Sequence, residues 1–373
     1  MASNASRLQH VERSLECTRS AKRKSVAASF PDVVQSAQVA GLRYSKAEGP
    51  GITRKRKGHG FAYYSASHEI IRDPSTLKRI RSLVIPPGWT SVWISSSSNA
   101  HLQAVGRDAK GRKQYRYHSE YRQTRNETKF DKLSAFGGVL PLIRKQVLRD
   151  LGATGFPKHK VVAAIVRLLD ETCIRVGNEE YARTNGSYGL TTLQNKHATI
   201  RGERMRFRFQ GKSGQEHEIE LLDAKVAKIV KRSQHLPGEA LFEYRSEACD
   251  YAPIDSGDVN EYLREIAGQD VTAKDFRTWH GSACAMRELM KLGPAPDETT
   301  AKRNIVTVVK VTAQLLGNRP ATCRKYYIHP SLIQCYSDGS LFDRLPRSHS
   351  NRHTHDLRPE EASLLAFIGP ARK

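Results

Sequence analysis

The spacing of apolar residues changes its period along the chain, and this change constrains the fold more than any other feature. Three segments between residues 89 and 117 alternate apolar and polar residues, as strands of a half-buried antiparallel sheet do. Beyond about residue 125 the spacing becomes helical, for example at Val161 and Ile165. With 373 residues, the chain is long enough for two domains. We therefore predict an α+β protein with a small antiparallel β-rich domain at 39–122 and a larger, mainly helical domain at 123–373.

The charge balance of the chain predicts a polyanionic partner. The sequence has 61 Lys and Arg against 38 Asp and Glu, a formal net charge of +23. Such a surplus is typical of proteins that bind nucleic acid or an anionic membrane surface. Residues 1–38 are polar and basic without periodicity, and we predict a mobile tail that attracts phosphates non-specifically. The basic run Arg54–Lys57 lies between two glycines and is predicted to form a loop.

Other features exclude several protein classes. No run approaches the roughly 18 apolar residues of a membrane helix, and the N-terminus has no apolar stretch of a secretion signal. The six cysteines form no CxxC pair, which argues against a zinc ribbon or a disulfide scaffold and suits a reducing cytosol. We therefore expect a cytoplasmic protein.

A β-hairpin is predicted inside the helical region. Met205–Gln210 and His217–Leu221 alternate apolar and polar residues on either side of the turn Gly211–Gly214. The turn contains Gly-Lys-Ser, as a P-loop does, but Arg206 stands where a P-loop needs glycine. A hairpin also lacks the strand-to-helix setting of a P-loop, so we expect no ATP site here.

One predicted strand interleaves basic and aromatic residues in a way that suits a nucleic-acid groove. On a strand, Tyr115 and Tyr117 share one face, while Gln114 and Arg116 share the other. Lysine and arginine bind phosphates, and an amide such as that of Gln114 can pair with a base edge. An alternative remains open, in which the tyrosines are core residues whose hydroxyls reach water.

Four segments together carry the side chains that metal-free phosphodiester cleavage needs. Tyr327 follows Arg324 and Lys325, cations that could stabilise a phenolate nucleophile, although a tyrosine in a basic surface patch would look the same. Arg175 and Arg277 lie in otherwise apolar segments, where guanidinium groups could neutralise the phosphate oxygens. Lys212, in the hairpin turn, could protonate the leaving oxygen. This chemistry needs no metal and no nucleotide.

These segments resemble the type IB DNA topoisomerases, in particular the compact poxvirus-like and bacterial branch. The resemblance extends from about residue 40 to the C-terminus, and its motifs recur in order across both predicted domains. The residues that carry it are Ile85–Trp93, Gly106–His118, Ile174–Asn178, Gly189–His197, Lys274–Arg277 and Leu316–Pro330.

The resemblance implies a role for each candidate catalytic residue. It makes Tyr327, nine residues after Asn318, the nucleophile, although Tyr326 competes on sequence alone. Viral members carry histidine at the position of Asn318, whose amide does not titrate but can donate a hydrogen bond to a non-bridging oxygen. The implied phosphate ligands are Arg175 and Arg277, the implied general acid is Lys212, and the implied DNA contacts are Gln114, Tyr115, Tyr117 and Tyr181. We further predict DNA contacts at Lys113, Arg116 and Arg324.

The implied activity is relaxation of supercoiled duplex DNA through a 3′-phosphotyrosyl intermediate. No cofactor is expected, and modest stimulation by magnesium would be compatible. The resemblance further implies a nucleoid-associated monomer clamped around DNA, with residues 39–122 as the clamping domain.

Two alternatives remain open. A tyrosine recombinase uses the same chemistry but usually has histidine where this chain has Lys274. A non-catalytic architectural DNA-binding protein would explain the charge but not the four-part constellation.

Overall fold

The computed structural model describes residues 37–47, 49–58, 60–109, 111, 113–245, 251–345 and 357–369. Nearly all of the predicted tail lies outside the described residues. The end of the predicted tail is described, and there Ala37 is fully buried in a small cluster with Leu42 and Tyr121. No helix in the described ranges combines the length and apolar character of a membrane span.

The N-terminal part is an antiparallel sheet whose strands are β1 (Gly51–Lys57), β2 (Gly60–Tyr64), β3 (Thr90–Ser95), β4 (Leu102–Arg107) and β5 (Lys113–Tyr117). Their order in the sheet is β2-β1-β3-β4-β5. Helix α1 (Pro74–Ser82) begins after Asp73, whose side chain accepts a hydrogen bond from the Thr76 amide. It buries Ile80 against Ile52 and Ile94 of the sheet. The predicted small antiparallel sheet is confirmed.

The prediction of a loop at Arg54–Lys57 was wrong, because this basic run belongs to strand β1. The guanidinium of Arg54 donates to the carbonyl oxygens of Pro86 at 3.0 Å and Trp89 at 2.7 Å. It also lies 4.1 Å from the ring centroid of Phe61. These contacts provide partners for a charge in the strand that local sequence could not show.

The C-terminal part is mainly helical, and the predicted α+β class is confirmed. Helix α2 (Ser119–Leu151) leads from β5 into this part, so the predicted domain boundary at 122 falls in its first turn. The remaining helices are α3 (Lys158–Thr172), α4 (Glu179–Asn185), α5 (Ala224–Ser233), α6 (Ser256–Ala267), α7 (Ala273–Leu292), α8 (Glu298–Leu316), α9 (Pro320–Tyr326), α10 (Pro330–Ser337) and α11 (Pro359–Ile368). The strands are β6 (Ala198–Arg201), β7 (Arg204–Gln210), β8 (Glu216–Leu222), β9 (Glu243–Arg245) and β10 (Tyr251–Pro253).

Helix α7 lies at the centre of the helical core. Trp279 and Phe276 are fully buried on it, and both rings contact Phe136 of α2. The close approach of α2 requires a glycine, because a Cβ at Gly137 would lie 2.3 Å from the Trp279 ring. This packing fixes the helix that carries Arg277.

A buried ion-pair network ties four helices together next to the same core. Arg144 of α2 donates to both Asp170 of α3 and Glu361 of α11, at 2.7–3.0 Å. Trp279 donates to Glu361 at 3.1 Å, and Nε2 of His280 lies 3.1 Å from Asp170. Burial opposes ionisation of Asp170, but the nearby His280 and the hydrogen bonds from Arg144 outweigh it and hold the pKa of Asp170 below the usual range. The two carboxylates and His280 are close enough together to ligate a metal, but the Arg144 guanidinium already pairs with both acids.

The predicted hairpin is confirmed. Strands β7 and β8 pair antiparallel from Arg204↔Leu222 to Gln210↔Glu216. Met205 and Phe207 are buried, whereas Arg206 on the opposite face pairs with Glu218 and Glu220. The tip is a single 3-10 turn, Lys212–Gly214.

Candidate active site

Arg277 is a buried guanidinium held by backbone carbonyls. It lies in the second turn of α7 and is 5% exposed. One terminal nitrogen donates to the carbonyl of Cys173, after α3, and the other donates at 2.7 Å to that of Leu316, the last residue of α8. Its Nε is buried without a hydrogen-bond partner in the described structure. Arg277 therefore joins two helix ends and keeps one donor free.

Arg175 lies just beyond the C-terminus of α3. The chain turns at Cys173, whose φ is 56°. Arg175 Nη2 then donates to Asn318 Oδ1 at 2.7 Å. Burial and then the nearby Arg277 lower the pKa of Arg175 to about 10, although the Tyr327 hydroxyl acts in the opposite direction. Arg175 still carries its charge at neutral pH, so the two guanidinium groups form a positive site that an anion would stabilise.

Asn318 completes this positive site with a neutral donor. Helix α8 ends at Leu316, and Gly317 turns the chain with a φ of 54°. The backbone N–H of Asn318 donates to the carbonyl oxygen of Ala313 at 2.9 Å. Because Oδ1 accepts from Arg175, the Asn318 side chain presents its Nδ2 to the other side. Nδ2 is buried and has no partner among the described residues.

Tyr327 lies next to these cations, directly after the short helix α9. Its ring centroid is 5.4 Å from Cζ of Arg277. Its carbonyl accepts a hydrogen bond from Ser282 Oγ at 3.1 Å, and a Cβ at Gly281 would lie only 2.6 Å from that oxygen. Tyr327 is half-buried, whereas the side chain of Tyr326 is 36% exposed. The structure thus brings Arg175, Arg277, Asn318 and Tyr327 together from four separate segments.

Lys212 is placed differently from the other four candidates. It is exposed at the hairpin tip, and among the described residues it has no hydrogen bond or ion pair. Its neighbour Gly211 lines a cleft that Arg175 and Arg277 also line. The tip therefore lies near the cationic residues, and the role of Lys212 as general acid stays a prediction.

Sequence reasoning missed Lys129, which reaches Tyr327 from the long helix α2. Its Nζ lies 4.8 Å from the Tyr327 ring centroid and donates to the carbonyl of Tyr326. Burial lowers the pKa of Lys129 to about 8, and the positive charges of Lys274 and Arg277 act in the same direction. A single lysine in a helix gives no sequence signal, because only the fold shows what it contacts.

Five of the seven predicted DNA contacts are exposed, three of them on β5 and two in the helical part. Lys113, Tyr115 and Tyr117 share the exposed face of β5, where the two tyrosine rings stack with centroids 6.0 Å apart. Gln114 and Arg116 are half-buried on the other face. Gln114 donates to Asp108 at 3.0 Å, and Arg116 donates to the Val84 carbonyl at 2.9 Å.

In the helical part, Tyr181 is 46% exposed on α4, and Arg324 is exposed on α9. All seven assignments as DNA contacts stay predictions.

Two family models match the chain in the order of its two structural parts. Residues 118–340 match "Eukaryotic DNA topoisomerase I, catalytic core". Residues 60–108 match "Bacterial DNA topoisomerase IB, N-terminal domain". The first match spans most of the helical part, including all five catalytic candidates.

Several individual proteins are similar to the chain. The DNA topoisomerase 1B of Acanthamoeba polyphaga mimivirus is 32% identical over 299 residues, which cover 78% of this chain and 89% of the viral protein. DNA topoisomerase 1B of vaccinia virus (strain Copenhagen) is 24% identical, over 64% of this chain and 74% of its own length. The mitochondrial DNA topoisomerase I of Rattus norvegicus is 22% identical, over 57% of this chain and 34% of the rat protein.

The fold, the convergence of the candidate residues and the similarities point to one family. The catalytic-core match covers more than half of the chain, and the mimivirus protein aligns over most of both sequences. The chain belongs to the type IB DNA topoisomerases, enzymes that relax DNA.

Proposed function

We propose that this enzyme relaxes supercoiled duplex DNA by cutting one strand, holding the end as a 3′-phosphotyrosyl ester, and religating it after the duplex has swivelled. The observation that carries the proposal is the buried pair of free donors beside Tyr327. Arg277 Nε and Asn318 Nδ2 have no partner in the described structure, and buried polar groups rarely stay unpaired. A phosphate oxygen would satisfy such donors.

In the proposed cleavage step, the Tyr327 oxygen attacks the scissile phosphorus. A bond from this oxygen to phosphorus forms, the bond from phosphorus to the 5′ oxygen breaks, and the phenolic proton passes to water. Arg175, Arg277 and Asn318 donate hydrogen bonds to the non-bridging oxygens, where negative charge develops. Lys212 moves in from the hairpin tip and gives its proton to the departing 5′ oxygen.

Religation is the reverse exchange, in which the 5′ hydroxyl attacks the phosphotyrosine. Both steps exchange one phosphodiester for another, so their energies nearly balance, and torsional strain drives the net relaxation. We therefore propose that the reaction requires neither ATP nor a metal ion, because protein cations already neutralise the phosphate. Magnesium could still speed release from DNA by competing for phosphate contacts.

The proposed substrate is double-stranded DNA, held by a monomer that closes around it. Support comes from the exposed Tyr115–Tyr117 face of β5 and from the exposed Arg324, which lies three residues before the proposed nucleophile. Aromatic rings and cations together suit a DNA groove.

The test is incubation with a supercoiled plasmid in EDTA, without nucleotide. We expect relaxation to a ladder of topoisomers by the unaltered protein and by Tyr326→Phe, but not by Tyr327→Phe. Strict dependence on ATP or magnesium would overturn the proposal. Intermolecular joining would instead indicate a recombinase, and gel retardation alone would indicate an architectural protein.

A further inference from the structure

His217 of strand β8 lies between the two glycines that precede Lys212 and Asn318. A Cβ at Gly211 would be 2.5 Å from Cδ2 of His217, and a Cβ at Gly317 would be 2.7 Å from Cε1. No larger residue fits at either position without displacing the ring. The imidazole therefore fills the space between the hairpin and the end of α8, five residues along the chain from Lys212.

The ring of His217 is fixed by aromatic packing, while its two nitrogens are available for hydrogen bonding. It stacks on Phe209 with centroids 5.1 Å apart and an interplanar angle of 17°. Neither ring nitrogen has a hydrogen-bond partner in the described part of the chain. A fixed imidazole with an unused N–H is suited to bind a ligand atom without further ordering.

The surroundings of His217 indicate which ligand would bind. The imidazole lines the same cleft as Arg175 and Arg277. Burial lowers the pKa of His217, and both arginines act in the same direction, so the ring is neutral at pH 7. A neutral ring can donate one hydrogen bond to an anion without adding a third positive charge to the cleft.

We propose that His217 is a further phosphate-binding residue, which donates a hydrogen bond from its imidazole to a non-bridging oxygen of the scissile phosphate. This inference rests on the proposed function. It makes the hairpin a carrier of two groups, Lys212 for the leaving oxygen and His217 for the phosphate itself. The competing interpretation is that His217 only wedges the hairpin against α8.

Two substitutions separate these interpretations. His217→Phe keeps an aromatic ring for stacking on Phe209 but removes the donor. His217→Asn loses the ring but keeps an N–H donor. The measurement is the single-turnover rate of covalent adduct formation on a duplex whose cleaved end dissociates, with DNA affinity and melting temperature measured alongside. The matched control is His159→Phe, at an exposed histidine of α3, which should cleave like the unaltered enzyme.

If His217 donates to the phosphate, His217→Phe should cleave roughly 100-fold more slowly, as is usual for loss of one oxyanion donor, with DNA affinity nearly unchanged. His217→Asn should cleave at least about tenfold faster than His217→Phe, because one hydrogen bond to a charged group is worth at least that factor. A methylphosphonate at the scissile position replaces one non-bridging oxygen with a methyl group. On the diastereomer that lacks the oxygen bound by His217, His217→Phe and the unaltered enzyme should cleave at the same rate.

The inference is overturned if His217→Phe cleaves within threefold of the unaltered enzyme. It is also overturned if His217→Asn is as slow as His217→Phe and the defect is equal on phosphate and on both methylphosphonates, because only a wedge predicts that pattern. If the unaltered enzyme forms no adduct at all, the proposed function itself fails and the inference fails with it.

Discussion

At the scale of single residues, the buried Arg277 and the half-buried Arg175 are held by neutral oxygens. Arg277 donates to the carbonyls of Cys173 and Leu316, and Arg175 donates to the amide oxygen of Asn318. No carboxylate in the described ranges forms an ion pair with either of them. Such a carboxylate would neutralise the site before DNA arrives. The charge is therefore available for a phosphate, and the donors need no rearrangement when it binds.

Lys212 allows a test of whether one residue protonates the leaving oxygen while others stabilise the phosphate charge. We predict that Lys212→Ala slows cleavage by about 10²–10⁴-fold, because an alkoxide leaves poorly without a proton. A substrate with a 5′-bridging sulfur should restore most of the rate, because a thiolate leaves without being protonated. The measurement is the single-turnover cleavage rate on both substrates.

Arg277→Ala is the control for the Lys212 experiment, because a residue that stabilises phosphate charge should not be rescued to the same extent. Equal impairment of Lys212→Ala on the oxygen and sulfur substrates would remove Lys212 from the catalytic residues. Its exposed position would then mark it as one phosphate contact among many.

Lys129 should make folding stability depend on pH in a predictable direction. Its pKa is about 8 in the folded protein, against 10.5 for an unperturbed lysine, mainly because it is buried. Between these two values the unfolded chain binds a proton that the folded chain has released. Raising the pH through this window therefore stabilises the unaltered protein relative to Lys129→Met. From pH 7 to pH 9.5 the relative gain is at most about 2 kcal/mol.

The measurement is the free energy of unfolding by urea for both proteins at both pH values. Other groups titrate equally in the two proteins and cancel in the difference. Lys310→Met, at an exposed position of α8, is the control and should show no such pH dependence. A difference between Lys129→Met and the unaltered protein that stays constant with pH would contradict the assignment.

At the scale of elements, the ion-pair network fixes the helices that carry the site. Glu361 of α11 is fully buried and binds Arg144 of α2, which also binds Asp170 of α3. Asp170 precedes Arg175 by five residues, and His280 beside it follows Arg277 by three. The last described helix thus supports the two segments from which Arg175 and Arg277 extend.

We predict that Glu361→Gln lowers the free energy of unfolding by about 3 kcal/mol, because it leaves part of the buried Arg144 charge unpaired. Thermal and urea unfolding would measure the change. The matched control is Glu298→Gln, which removes an exposed pair with Lys302 and should leave the melting temperature unchanged. A Glu361→Gln protein as stable as the unaltered one would show that the network contributes nothing measurable.

The elements differed in how far the sequence could predict them. Exposed residues alternate with buried ones along β7 and with half-buried ones along β8, so the period of two could be recognised in the sequence. Strand β1 was not predicted, because Lys55, Arg56 and Lys57 are all exposed and show no alternation. The remaining charge of the run, Arg54, finds its partners in the distant residues Pro86 and Trp89. Local pattern predicts an element only where burial alternates with the element's own period.

At the scale of the whole molecule, the same limit applies to the site. Arg175, Arg277, Asn318 and Tyr327 could be nominated because each lies in a segment with a distinctive motif. Their convergence in space is a property of the fold. The fold also places Lys129 beside Tyr327 and His217 in the cleft with the two arginines. Lys129 is a lone lysine in a long helix, and His217 occupies an ordinary strand position, so neither could be recognised before the packing was known.

A covalent bond between Tyr327 and DNA can be demonstrated by trapping the adduct and sequencing its peptide. The enzyme would be incubated in EDTA with a duplex whose cleaved end dissociates, and the tryptic peptide that begins at Tyr326 would be fragmented by mass spectrometry. We predict a nucleotide linked through its 3′ phosphate to Tyr327, and no adduct with Tyr327→Phe. An adduct on Tyr326, linkage through a 5′ phosphate, or persistence of the adduct in Tyr327→Phe would contradict this prediction.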